Sequence, residues 1–151
     1  TISDFTADAH KIIVEKALET ISQNLKELRN STDIDRDIYM TDLRARRFIE
    51  WTLHVIIEAC MDIAHHIISS DGMREPATYR EAFVVLSENG IIPAPVLKNY
   101  EKIAMFRNLL VHYYEKGDDE IVFGIFKNRL DDFEDFIGYI FKYLGDWKVS
   151  D

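Results

Sequence analysis

Apolar residues recur along most of this chain at alternating steps of three and four. Val14, Leu18, Ile21, Leu25 and Leu28 trace one stripe, the spacing that gathers side chains on a single helix face. NSTDIDRD (30–37) interrupts the stripe with residues that favour turns and helix N-caps. A long second helix is predicted over about 38–68, with Phe48, Trp51, Val55, Ala59 and Ile63 on one face. Arg44, Arg46 and Arg47 fall in its early turns.

SSDGMREPAT (69–78) is the most loop-like stretch. TYRE (78–81) reads as a capping box, with Thr78 at the cap and Glu81 three residues on. It opens a short helix predicted to end near Asn89-Gly90, where glycine suits a left-handed terminal residue. IIPAP (91–95) crosses to a fourth helix, and Pro95 is acceptable in its first turn. Leu97, Tyr100, Ile103 and Phe106 carry that helix into RNLLVHYY (107–114). After EKGDDE (115–120) a fifth helix holds Ile125, Leu130, Phe133, Ile137, Ile140 and Leu144, with Gly145 marking its end. The expectation is an all-α fold: one domain over 1–151, a bundle of about five mostly antiparallel helices.

Composition agrees. Six Gly and three Pro leave little material for the turns of an all-β chain. No apolar run reaches the ~20 residues that span a bilayer, and no signal-peptide pattern opens the sequence. The single cysteine, Cys60, lies in an apolar helical stretch, so it reads as a packed small hydrophobe in a reducing, cytoplasmic setting. A net charge of −9 argues against a coat protein for nucleic acid, which would neutralise phosphates over a basic surface. It leaves room for an enzyme that holds one scissile phosphate in a local cluster, and an acidic surface also suits a basic protein partner.

RNLLVHYY supplies such a cluster. With about 100° per residue and Arg107 at zero, Asn108 falls at about 100°, His112 at about 140° and Tyr114 at about 340°. Phe106, Leu109, Leu110 and Tyr113 occupy the opposite arc, between about 200° and 300°. Four polar groups therefore share one surface if the helix persists to Tyr114. Metal-free RNA cleavage needs a base for the 2′-hydroxyl proton and an acid for the leaving oxygen, and histidine serves either role near neutral pH. It also needs a fixed positive fork against the charge that builds at phosphorus, which guanidinium geometry supplies. One His and one Arg make half an acid–base pair, and a symmetric dimer would supply the other half. The competing reading is a helix end whose Arg and His are simply solvated and favourably placed in the helix dipole.

With these residues in view, the chain resembles HEPN-domain proteins of the HepT-like toxin group. That group carries Arg-x4-His-x-Tyr, commonly with Asn after the Arg, which stands here as RNLLVHYY. MDIAHHII (61–68) and YREAFVVLSENGII (79–92) also resemble the group, so the likeness spans about residues 40–125. The resemblance implies a dimeric helical bundle and a metal-independent endoribonuclease, with Arg107 and His112 as catalytic pair and Asn108 in support. It implies a minimal nucleotidyltransferase antitoxin that silences the toxin by adding AMP to Tyr114, placing phosphate and base beside Arg107 and His112. A second tyrosine, Tyr113, adjoins the target. No cofactor is implied.

Other groups have weaker patterns. Glu58 and Asp62 with His65 or His66 stand at helical spacings that could suit a metal, but no matching second half appears. The resemblance of the DIA stretch (62–64) to the family makes Asp62 the better candidate for positioning Arg107 or His112 from the neighbouring helix. His10 and His54 have no partner in sequence and read as surface or interface residues, and Arg44, Arg46 and Arg47 as a solvated face or an RNA grip. The alternatives to a nuclease are a non-catalytic helical interaction module and a nucleotide-binding partner subunit of a nucleotidyltransferase.

Overall fold

The computed structural model describes residues 2–111 and 118–149, with side chains over 9–111 and 118–145. Seven α-helices follow one another among them: α1 (Ile2–Arg29), α2 (Arg36–Thr41), α3 (Leu43–Ser70), α4 (Tyr79–Glu88), α5 (Leu97–Val111), α6 (Asp118–Asn128) and α7 (Leu130–Val149). A 3-10 turn at Ala94–Val96, with Pro95 at its start, leads directly into α5. The described residues include no strand, so the fold is all-α as the periodicity requires.

Local chemistry explains the boundaries, including two that periodicity missed. The predicted second helix is two helices, because Asp42 takes an extended conformation and its Oδ1 accepts from the Arg44 and Ala45 amides at 3.0 and 3.3 Å. Such a cap satisfies donors that a helix start leaves unpaired. Asp35 caps α2 in the same way, accepting from the Ile38 amide at 2.9 Å. The predicted last helix is also divided, at Arg129, and α7 runs through Gly145 to Val149. Positive φ occurs instead at Gly72 (66°) and Gly90 (77°), where α3 and α4 end. At Gly90 the Ile91 amide reaches Leu86 O at 2.9 Å and the Gly90 amide reaches Ser87 O at 3.0 Å, closing the helix end. Thr78 caps α4 as expected, accepting from the Glu81 amide at 3.1 Å, while Glu81 reaches back to the Ala77 amide at 3.0 Å.

α1 lies chiefly along α3 and also meets α7, while α4 packs on α5 and α3. The stripe Val14, Leu18, Ile21, Leu25 and Leu28 is buried, and Tyr39, Phe83, Phe133 and Phe136 fill the centre of one core. Burying each such side chain contributes about 1.5–3 kcal/mol. In α3 the buried side is Ile49, Leu53, Ile56, Ile57, Cys60, Ile63, Ala64 and Ile67. Trp51, expected in the apolar stripe, is instead 66% exposed. It stands about 200° around the helix from Ile49, and Leu53 and Ile56 take the core positions. Among the described residues no helix is long and apolar enough to cross a membrane.

Candidate active site

α5 buries Tyr100, Ile103, Ala104 and Phe106, which fixes the rotation of the helix and sets Arg107 at the edge of its packed side. The Arg107 side chain is 19% exposed and its Nε donates to Glu58 Oε1 of α3. The guanidinium carbon sits 4.2 Å from the centre of the Tyr79 ring at the start of α4. A carboxylate and an aromatic face thus fix the plane of the fork from two other helices. The bond to Glu58 uses one of five guanidinium N–H donors. His65 meets the Tyr79 ring edge-on at 5.9 Å, and His54 Nε2 lies 3.4 Å from the same Glu58 oxygen.

Asn108 follows as an exposed residue, while Leu109 and Leu110 pack against the core, so the two expected arcs hold as far as Val111. His112, Tyr113 and Tyr114 lie outside the described residues. Asp62 is exposed, one turn beyond Glu58 on the same face of α3. The carboxylate on Arg107 is that of Glu58.

Arg47, Trp51, His54, Glu58 and Asp62 fall within about 80° of arc on α3, opposite its buried side. A hollow of about 330 Å³ over this face is lined by Ala17 and Thr20 of α1 with Trp51, His54, Val55, Glu58, Ala59 and Asp62 of α3. A second, of about 270 Å³, is lined by Arg47, Glu50, Trp51, His54 and Leu110 of α5. Trp51 and His54 belong to both, and their rings meet edge to face at 5.7 Å. The result is a groove floored by α3 and walled by α1 and α5.

Other sequence candidates have structural employment. Arg46 donates to Tyr39 O and Met40 O at 3.2 and 2.7 Å, closing the end of α2, and pairs with Asp119 at 3.7 Å. His10, expected at the surface without a partner, places Nδ1 2.9 Å from Nδ1 of His66 across the α1–α3 contact. Burial, then the nearby His10, holds His66 below the usual histidine pKa, with Asp62 opposing. Cys60 is buried and its thiol is pushed far up by desolvation, as befits a packed small hydrophobe. Among the described residues no three His, Cys, Asp or Glu side chains converge as metal ligands. Glu58 turns to Arg107 and His66 to His10.

This arrangement has known relatives. The family described as ribonuclease HepT-like matches residues 12–140, which contain the whole motif and all of the groove. The chain belongs to the HepT-like ribonuclease family. The mRNA nuclease HepT of Shewanella oneidensis is 31% identical over 129 residues, covering 85% of this chain and 96% of that one. The tRNA nuclease HepT of Aphanizomenon flos-aquae is 29% identical over 133 residues, covering 88% and 90%. A solved structure of a tri-AMPylated Shewanella oneidensis HEPN toxin in complex with MNT antitoxin aligns with a TM-score of 0.77 at 30% identity, covering 85% and 96%.

Sequence reasoning does not find the two side chains that contact Arg107. Glu58 was grouped with Asp62 as a possible metal ligand, and Tyr79 was seen only as the second residue of a capping box. Periodicity contained a signal for the first: Glu58 stands four from both His54 and Asp62, on the side of α3 that lacks core residues. Tyr79 gave none, because its role depends on how α4 meets α5.

Proposed function

We propose that this HepT-like chain is a metal-independent endoribonuclease toxin of a toxin–antitoxin pair, acting in the cytoplasm as a homodimer. The observation that carries the reading is Arg107, held in orientation by Glu58 and Tyr79 five residues before His112. In the proposed reaction the 2′-hydroxyl loses its proton to one imidazole and its oxygen bonds to phosphorus. The P–O bond to the next nucleotide breaks, and its oxygen takes a proton from a second imidazole, leaving a cyclic phosphate and a free 5′-hydroxyl. Arg107 stabilises the charge on the phosphoryl oxygens. The homodimer supplies the second His112, Asn108 orients phosphate or imidazole, and Asp62 assists Glu58 from α3. The test is RNA cleavage in EDTA by wild type, Arg107→Ala and His112→Ala. Loss in both variants supports the assignment, and equal activity in all three sinks it.

The proposed partner is a minimal nucleotidyltransferase antitoxin, supported by the modified, antitoxin-bound state of the Shewanella relative. Transfer of AMP from a nucleoside triphosphate to the Tyr114 oxygen, with release of pyrophosphate, would fill the phosphate site by charge and volume. Mass spectrometry after co-expression tests this: AMP on Tyr114 supports it, and AMP confined to Tyr113 overturns the choice of tyrosine. One observation favours a separate interaction role. A largely apolar hollow of about 380 Å³ between α5 and α6 includes the exposed Met105 and Ile121. On that reading Met105→Asp or Ile121→Asp would weaken association, and alanine at Arg107 and His112 would leave no cleavage to lose.

A further inference from the structure

Trp51 is a large aromatic side chain held out of the core. It is 66% exposed, more than any other large hydrophobic among the described residues. Its neighbours along α3 are Arg47 one turn before it and His54 with the half-buried Val55 one turn after. An apolar dimer face would surround it with further exposed aliphatic side chains. Here the aliphatic side chains that line the two hollows at Trp51 (Ala17, Val55, Ala59 and Leu110) are buried or half-buried, and the other lining residues besides Trp51 are polar or charged.

The charge beside Trp51 is also uncommitted. Arg29, Arg36, Arg74, Arg80 and Arg107 each pair with one or more carboxylates. Among the described residues Arg47, like Arg44 and Arg129, is exposed with no carboxylate within ion-pair distance, and of these three it is Arg47 that lines the Trp51 hollow. The Glu50 carboxylate in the same hollow accepts from the Tyr39 hydroxyl at 3.2 Å, and Glu58 is engaged by Arg107 and His54. An unpaired guanidinium beside an exposed indole is the pairing that holds a nucleotide, a cation for its phosphate and a ring face for its base.

We infer that Arg47, Trp51 and His54 form a subsite for one unpaired nucleotide of single-stranded RNA, next to the phosphate position at Arg107. The inference rests on the proposed ribonuclease reading and adds its substrate class. Leu110, in the Trp51 hollow, is one turn along α5 from Arg107, and His54 touches the Glu58 that holds Arg107. A strand along the groove would therefore place one base on Trp51 while a neighbouring phosphate meets Arg107. Bases inside a duplex are stacked on each other and unavailable to Trp51, so the subsite selects unpaired RNA.

The experiment uses a Trp147→Phe background, which leaves Trp51 as the sole fluorophore of the two tryptophans. The probe is a 2′-O-methyl oligouridine of eight residues, which lacks the attacking hydroxyl. Quenching of Trp51 by the single strand and not by its duplex with oligoadenosine is the expected result. Trp51→Ala should bind the labelled single strand roughly tenfold more weakly, with Trp51→Phe retaining most of the affinity and Arg47→Gln losing part of it. Light scattering should give the same mass for wild type and Trp51→Ala. Unchanged affinity in Trp51→Ala, equal quenching by duplex, or a lower mass in that variant overturns the subsite, the last by making Trp51 a contact with a second copy. Cleavage of natural RNA is scored separately. Cleavage without Trp51 quenching defeats the subsite alone, and quenching without cleavage defeats the catalytic reading alone.

Discussion

Glu58 is the residue whose removal most directly tests how Arg107 is held. Glu58→Ala deletes the carboxylate on Arg107 Nε and leaves the guanidinium oriented by the Tyr79 ring. Exposed ion pairs contribute about 0.2–1 kcal/mol, while breaking a buried pair costs about 3–5 kcal/mol. This pair lies between those limits, with side chains 19% and 36% exposed, and the wetter Glu58 draws it toward the lower one. A loss of about 1–2 kcal/mol is expected, which for a chain of this length lowers Tm by about 2–8 °C. The catalytic effect should be larger than the stability effect, because small displacements of a reacting group cost up to about a hundredfold in rate. We expect kcat for RNA cleavage to fall about 10–100-fold in Glu58→Ala. Glu58→Gln keeps an oxygen acceptor and should recover much of that loss, and adding Asp62→Ala to each background measures what Asp62 shares of the task. Thermal melts and steady-state cleavage of a fluorogenic RNA give both numbers. Wild-type kcat in Glu58→Ala with a lowered Tm would reduce Glu58 to a structural ion pair and refute the positioning argument.

Tyr79→Ala removes the ring under the Arg107 guanidinium and should cost about 0.5–2 kcal/mol of stability with a fall in kcat, while Tyr79→Phe keeps the face and stays near wild type. A similar loss in both variants, read by melting and cleavage, would assign the effect to the hydroxyl. For pH, His66 titrates lower in the folded chain than in the unfolded one, so unfolded chains bind more protons and stability rises with pH in that window. The contribution is full above about pH 6.5 and is lost as pH falls below it toward the folded pKa. Tm between pH 7.5 and 5.5 should drop more in wild type than in His66→Asn, and equal drops would show that His66 does not set the response and that other groups do. RNA binding should show a shallow salt dependence, because Arg107 and Arg47 meet about two phosphates per protomer. The slope of log K against log salt is then about −1.4 per protomer, and a value several-fold steeper would point to a wider basic contact.

The parts of this molecule legible in sequence are those governed by local rules. Helical periodicity placed the core stripe of α1 and the apolar side of α5, and capping chemistry placed the ends of α4 at Thr78 and Gly90. The same rules existed for Asp42, but a continuous apolar pattern on both sides of it concealed the break between α2 and α3. Gly145 misled for the converse reason: glycine is permitted at a helix end and does not impose one. At the candidate site, the positions of Arg107 and Asn108 on α5 were legible because their spacing is local to one helix. Glu58 on Arg107, Tyr79 beneath it and His10 against His66 depend on helix packing, which no spacing within a single segment reports.

A chain of net charge −9 meets an anionic substrate only if its positive charge is not already spent. Much of it is spent here on joining elements. Arg29 ties α1 to Asp131 and Glu134 of α7, Arg36 ties α2 to Glu120 of α6, and Arg74 clamps the loop before α4 to Glu81 and Glu88. Arg46 closes the end of α2. Those arginines are neutralised by carboxylates away from the groove, and the excess of carboxylates that makes up the negative total disfavours phosphate at those surfaces. Arg107 differs in having its carboxylate on one edge of a fork with five donors, and Arg47, which like Arg44 and Arg129 has no carboxylate partner among the described residues, differs in lying at the groove. Acidity over most of the surface with two cations at one groove favours contact with a short stretch of strand at one place. That is the charge distribution a cutter needs and a coat protein lacks.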